Sequence, residues 1–263
     1  MRDVAAERDE RGITIQRVGV REIHLPVMIR EKGGGHARVT GVFRASVELP
    51  QHERGTHMSR FVEILSHWSK HAVAMPEMRE MLGEVRSRFD AYAAHLDLGF
   101  RYFLDKRSPA TGLPCQLDYQ CSFTASDIAD EFDFLVGVEV PVITVCPCSR
   151  EISQREAHSQ RAIITASVRA RDEEIIWLED LIPLLENQGS EQVYPMLKRE
   201  DEKLITERSY ENPKFVEDVV RDSVIALKAV PDVEWFSVSC ESFESIHNHS
   251  AYAQTQWPAP SAQ

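Results

Sequence analysis

Two stretches of the chain alternate apolar and polar residues strictly enough to be read as half-buried strands. From Ala37 to Leu49, the positions Val39, Gly41, Phe43, Ala45, Val47 and Leu49 share one face, and Arg38, Thr40, Arg44, Ser46 and Glu48 share the other. From Arg161 to Arg169, Ala162, Ile164, Ala166 and Val168 stand opposite Arg161, Thr165, Ser167 and Arg169. Ile13 to Ile29 predicts a partner for the first strand, with Gly19 and Pro26 as bulge or bend points and Gly33 to Gly35 as the turn. Spacing then turns helical. Met58, Phe61, Val62, Leu65 and Trp68 recur on one face behind a Thr56 cap, and Met78, Met81, Leu82, Val85 and Phe89 recur on a helix opened by Pro76. Leu117 to Thr124 and Phe132 to Val145 complete a first half of strand, strand, helix, helix, strand, strand.

The second half repeats that order. Ile175 to Leu185 predicts a short helix ended near Gly189. A charged loop, Lys198 to Arg208, follows. Pro213 opens a helix with Phe215 and Val219 on its buried side, Val233 to Cys240 is a strand, and Phe243 to Tyr252 is expected to be another. The fold class is therefore α+β, with tandem ββααββ units at 13–130 and 131–255, a disordered tail at 1–12 and a loose tail at 256–263. Antiparallel sheets with helices on one face leave the other face to be covered, and assembly into a barrel-like oligomer is one way to cover it.

Composition narrows the class. Charged residues at 27% and apolar ones at 43% describe a soluble globular chain, and no apolar run approaches the ~20 residues of a membrane span. Five cysteines without framework spacing, and a polar N-terminus, fit a reducing cytoplasm. A net charge of −12 argues against a nucleic-acid partner, but a local basic cluster still suits a small anion.

Chemistry concentrates at Val145-Cys146-Pro147-Cys148. The apolar run Val138 to Val145 must stop at Pro147, which leaves the Cys146 thiol at a strand end. His158 precedes the next strand, and a hairpin-like return brings its imidazole back towards that thiol. Sulfur with nitrogen is a ligand set for zinc and other divalent ions; a small buried hydrophobe is the plainer role for such a cysteine. Lys198-Arg199-Glu200-Asp201-Glu202-Lys203 is either a solvated loop of both signs or a source of one carboxylate and several cations. Glu217 follows Pro213 at a helix start, where acids ordinarily complement the dipole, and is also placed to accept from a guanine-like N–H edge. On a strand, His247 and His249 would point to one side. His57 and Arg60 flank a helix start that could receive an anion.

Five motifs now stand in order: Gly-Thr-His-Met-Ser-Arg-Phe (55–61), Cys-Pro-Cys-Ser-Arg-Glu-Ile-Ser (146–153), Ala-His-Ser-Gln-Arg (157–161), Tyr-Glu-Asn-Pro-Lys-Phe-Val-Glu-Asp (210–218) and Glu-Ser-Ile-His-Asn-His-Ser-Ala-Tyr (244–252). Together they resemble the prokaryotic type IB GTP cyclohydrolases. The resemblance implies a tunnelling (T-fold) architecture and a homotetramer with active sites at subunit interfaces. It implies a divalent metal (Mn2+, Zn2+ or Fe2+) on Cys146, His158 and Glu202, with Glu200 a neighbouring alternative. Glu217 would anchor the purine, with Glu211 its local rival, and His247 and His249 would move protons. His57, Arg60, Lys198, Arg199 and Lys203 are the candidates to hold the triphosphate. The implied reaction is hydrolysis of GTP at guanine C8 to formate and 7,8-dihydroneopterin triphosphate, the first step of tetrahydrofolate synthesis. A related pterin or deazapurine enzyme of the same fold, using Cys146 as a covalent nucleophile, is the alternative.

Overall fold

The structure, a computed structural model, describes residues 4, 5, 7–172 and 174–258. In chain order the elements are β1 (Ile15–Arg30), β2 (His36–Leu49), α1 (Met58–Trp68), β3 (Ala72–Val73), α2 (Met75–Phe89), β4 (Ala93–Arg107), β5 (Pro114–Ile128), β6 (Glu131–Val145), α3 (Pro147–Ile152), β7 (Ser159–Ala170), α4 (Leu178–Glu186), β8 (Glu191–Gln192), α5 (Arg199–Glu211), α6 (Val216–Lys228), β9 (Val233–Ser242) and β10 (Ala251–Trp257). They gather into two compact units. One runs to Arg101 and takes in Ser122–Val136; the other holds Tyr102–Cys121 and everything from Gly137. Strands β4, β5 and β6 thus give opposite ends to different units. Among the described residues no helix is long and apolar enough to cross a membrane.

In the first unit β1 pairs antiparallel with β2, and β2 with β4. The alternation read from Ala37 to Leu49 holds: Phe43, Ala45, Val47 and Leu49 are buried, while Arg38, Thr40 and Arg44 are exposed. Helices α1 and α2 pack on each other, with Phe61, Ile64, Leu65, Met78, Met81, Leu82 and Val85 inside. The methionine and aromatic stripe is therefore core packing.

Several local expectations are corrected here. The register of β1 slips between Ile15 and Val18 and between Val20 and Ile23, on either side of Gly19, whereas Pro26 stays in register opposite Thr40. Pro26 is tolerated because β3 covers the outer edge of β1 only at Met28 and Ile29. The N-cap of α1 is His57, in place of Thr56, and its side chain does not make the capping hydrogen bond. The expected N-terminal tail is held where it is described, because Asp9 N–H donates to His52 O (2.9 Å), Arg54 to Glu7 O (3.1 Å) and Gly55 to Ala5 O (3.1 Å). Residues 1–3 and 6 of that tail lie outside the described residues, as do 259–263 of the C-terminal one. Gln256 and Trp257, expected to be loose, belong to β10, where the Trp257 ring stacks on Phe236.

In the second unit β9 lies between β7 and β10, antiparallel to both. Ala162, Ile164, Ala166 and Val168 are fully buried, as their alternation predicts. Helix α6 packs on β9, β10 and α4. The segment expected as a charged loop is helix α5. Its buried face is Asp201, Ile205 and Ser209 at four-residue spacing, so two of its three inward positions are polar and the apolar period does not show. Phe215, expected on the buried side of α6, is its exposed N-cap. Residues 243–250 form no strand.

Asp201 is what makes α5 fit. Its carboxylate accepts from Ala110 N–H, Thr111 N–H and Thr111 Oγ1, each at 2.8 Å, and from Lys198 N–H at 2.9 Å. One buried side chain so caps the helix and holds the turn between β4 and β5. Burial alone would raise its pKa; the donors from Lys198, Thr111 and Ala110 outweigh burial and hold the carboxyl well below the usual carboxylate range. Such a group stabilises the fold above its unfolded value of about 3.9 and loses that contribution as pH falls through the folded value. The wild-type unfolding midpoint is therefore expected to drop steeply below about pH 4. Asp201→Asn, less stable at pH 7, should lose less over the same interval, and parallel acid limbs in denaturation curves would count against this account.

Candidate metal and substrate site

Strand β6 ends at Val145, and the next residue, Cys146, is the N-cap of the six-residue α3, with Pro147 in its first turn. The Cys146 backbone N–H donates to His158 O at 3.1 Å, so the chain does return as its spacing predicts. Ser149 closes the clasp. Its N–H donates to Cys146 Sγ (3.4 Å), its hydroxyl to Cys146 O (3.3 Å), and its Oγ accepts from His158 N–H (3.2 Å). Thiol and imidazole are thereby fixed at the two mouths of one short loop.

A buttress holds the strand end. Val145 N–H donates to Ser190 Oγ (3.1 Å), and Val145 O accepts from Lys214 N–H (3.0 Å). Asn212 Nδ2 donates to Gly189 O and Ser190 O, and Lys214 Nζ to Gln188 O. Gly189 is required there: a Cβ would stand 2.6 Å from Val142 Cβ. Asn212 and Lys214 of the 210–218 motif so serve the cysteine strand, which spacing alone did not reveal.

Behind His158 lies a polar network. His158 Nδ1 is 2.8 Å from Gln160 Oε1. Gln160 Nε2 reaches Thr144 Oγ1 (3.3 Å) and Glu244 Oε1 (3.4 Å), and Ser242 Oγ donates to the same Glu244 oxygen at 3.2 Å. None of Gln160, Thr144, Ser242 or Glu244 was singled out from sequence. The available signal was the two-residue step from His158, just before β7, to Gln160 at its start, which lets the two side chains meet.

The remaining candidates are placed as follows. Glu202 lies exposed in the first turn of α5, beside exposed Lys198, Arg199 and Lys203, and Lys203 pairs with Glu207 at 3.7 Å. Glu200 is exposed in the same turn. Glu217 is exposed in the first turn of α6, and Glu211 is exposed at the end of α5. His247 and His249 are exposed in the irregular 243–250 segment, and their rings still stack, 5.1 Å between centroids at 14°. His57 and Arg60 belong to the first unit. With Arg8, His52 and Arg88 they line a cavity of about 680 Å³ that also holds Phe89, Glu53 and Asp90. The Arg60 guanidinium lies over the Phe89 ring at 5.8 Å.

The donor set around Cys146 fits a divalent metal in its chemistry. Cys146 and His158 are joined by a backbone hydrogen bond, so a thiol and an imidazole issue from the same clasp, and the Nδ1 of that imidazole is occupied by a side-chain amide, as is usual for a ligating histidine. Within the one chain the carboxylate does not join them: among the described residues no three His, Cys, Asp or Glu side chains converge in metal-binding geometry.

Comparison with known proteins gives the family. Residues 1–253 match the family described as "Type I GTP cyclohydrolase folE2". The chain is 47% identical over 253 residues to the GTP cyclohydrolase FolE2 of Geotalea uraniireducens, covering 96% of this chain and 92% of that one. It is 46% identical over 258 residues to that of Syntrophotalea carbinolica (98% and 96% covered), and 44% identical over 254 residues to that of Thermosipho africanus (96% of each). In structure it is similar to uricase from Arthrobacter globiformis, with a TM-score of 0.58 at 8% identity, covering 94% of this chain and 95% of that one. A uricase from Bacillus fastidious gives 0.50 at 8% identity, with 94% of each covered. Likeness at such identity concerns the fold alone, which is α+β and like that of the uricases. The motifs around Cys146 and His158, and relatives alike along nearly the whole length, have one explanation: the chain belongs to the FolE2 family of type I GTP cyclohydrolases.

Proposed function

We propose that this chain is a GTP cyclohydrolase that opens the guanine imidazole ring at C8, releasing formate and giving 7,8-dihydroneopterin triphosphate for tetrahydrofolate synthesis. Family membership supplies the substrate and the reaction class. The observation that carries the site is the Cys146–His158 clasp at the end of β6. Cys146 and His158 would hold a divalent metal (Mn2+, Zn2+ or Fe2+), with Glu202 as the carboxylate ligand that does not reach them within the one chain. When bound, such an ion activates water near neutral pH and polarises the attacked centre.

The chain's own residues do the rest. The Glu217 carboxylate accepts from the N–H edge of guanine and fixes the base so that C8 faces the clasp. His247, stacked on His249, supplies a proton to the ring nitrogen that leaves C8. His57 and Arg60, together with Lys198, Arg199 and Lys203, hold the triphosphate, and the cation-lined cavity around His57 and Arg60 supports their part in this. The active protein is a homotetramer with sites at subunit interfaces. Ile152, Phe243 and Ile246, exposed beside the clasp and the histidine segment, support a covering copy. All five cysteines are free thiols, which supports a cytoplasmic setting.

Protein stripped by chelator is expected to release neither formate nor dihydroneopterin triphosphate from GTP, and to release both in step when Mn2+, Zn2+ or Fe2+ is returned. Assembled oligomer that stays inactive with every metal would overturn the reading and return attention to Cys146 as a covalent nucleophile.

A further inference from the structure

Gln160 stands at the meeting point of four polar contacts. Its Oε1 lies 2.8 Å from His158 Nδ1 and 3.4 Å from Ser245 Oγ, and its Nε2 lies 3.3 Å from Thr144 Oγ1 and 3.4 Å from Glu244 Oε1. Amide oxygen and nitrogen have nearly the same shape, so which end faces the imidazole follows from the neighbours. A carboxylate only accepts hydrogen bonds. Glu244 therefore takes the NH2 end, and Ser242 Oγ, donating to the same oxygen at 3.2 Å, keeps that carboxylate in place. The amide oxygen is left facing His158. An acceptor at 2.8 Å from Nδ1 demands a hydrogen on Nδ1. The neutral ring then carries its lone pair on Nε2.

From this geometry we infer that Gln160 is a positioning residue. Oriented by Glu244, it locks His158 in the Nδ1–H tautomer and leaves Nε2 as the atom that ligates. The inference deepens the proposed function and rests on His158 being a ligand. It also ties the 243–250 segment to the clasp, because Glu244 and Ser245 both end on this one amide while His247 and His249 follow within a few residues.

The test reads the tautomer directly. In full-length, metal-free protein at about pH 8, above the ordinary imidazole range, the 15N resonances of the His158 ring should show a protonated Nδ1 and a bare Nε2. Gln160→Met keeps the volume and removes the acceptor, so the Nε2–H tautomer should appear, and Zn2+ affinity measured by chelator competition should fall about 10- to 100-fold. Gln160→Glu combined with Glu244→Gln, which keeps a donor facing an acceptor between the two positions, keeps an acceptor for His158 and should keep the tautomer, so a poorly folded Met variant does not remove the test. A wild-type ring protonated on Nε2, or a double variant that loses the Nδ1–H form, overturns the inference. A Met variant with tautomer and affinity unchanged does the same. His158→Ala separates the two layers: if it binds Zn2+ like wild type, the ligand reading fails while the tautomer result stands by itself.

Discussion

Cys146→Ala is expected to abolish metal retention and to lower formate release from GTP by at least about a thousandfold, since metal assistance contributes several kcal/mol and each ~1.4 kcal/mol is a factor of ten. The fold should survive. The sulfur is only partly buried, and it accepts from Ser149 N–H at the long distance of 3.4 Å. The clasp itself is made by the backbone of Cys146, through His158 O and Ser149 Oγ, and alanine keeps both bonds. Cys148 does not replace it, because it lies exposed two residues on, inside α3 and beyond the paired strand end. The checks are metal content after dialysis, unfolding midpoint and formate assay on one preparation. Wild-type turnover by a folded Cys146→Ala protein would remove the metal site from this clasp.

The largest expected effect on stability lies at Lys106. Its Nζ meets Glu186 Oε1 at 2.5 Å with both side chains nearly buried, 9% and 5% exposed. Gln192 Oε1 accepts from the same ammonium (3.0 Å), the Tyr194 ring lies 4.6 Å away, and Tyr119 OH donates to Glu186 at 2.7 Å. Burial, then the Glu186 carboxylate, push the Tyr119 phenol far above its ordinary range, so it remains a donor at any working pH. Lys106→Met leaves a buried carboxylate without its cation, which costs about 3–5 kcal/mol. Adding Glu186→Gln removes the stranded charge and keeps an acceptor for Tyr119, so the double variant should regain most of the loss. Urea unfolding at constant m-value measures both. A Lys106→Met protein within about 1 kcal/mol of wild type would show that the site takes in water or that the carboxyl is neutralised.

What could be read from the sequence was whatever repeats locally. The alternations in β2 and β7, the apolar face of α2, and the stop of β6 at Pro147 are one-dimensional signals, and they hold; the face read for α1 holds at Phe61 and Leu65, whereas Met58 and Val62 are exposed. Strand β4 went unassigned although Ala94, Leu96, Leu98, Phe100 and Tyr102 alternate inward. It opens with alanines and leucines that favour helix and starts four residues after α2, with no proline or glycine between. Helix α5 was hidden because Asp201 and Ser209 occupy inward positions that are satisfied only by residues 110–111 and by the helix itself. Phe243 to Tyr252 was expected as strand, yet β9 ends at Ser242 and only Ala251 and Tyr252 of that stretch are strand, in β10. At the site, Cys146 and His158 were legible because a strand end and a return are local facts. Gln160 was not, since its importance lies in Glu244 and Ser245, more than eighty residues away.

The paths of β4, β5 and β6 bear on how the protein can be made. The first unit draws on residues up to Arg101 and again on Ser122–Val136, and the second begins at Tyr102 and resumes at Gly137. No single cut in the chain releases either one whole. A nascent chain that has exposed only its first hundred residues lacks the strand ends that finish its first core. Phe100, whose ring meets Phe123 at 5.1 Å, must wait for that partner until the 122–136 segment has emerged. The interval in which this first core is open to aggregation therefore lasts until Ser122–Val136 has left the ribosome.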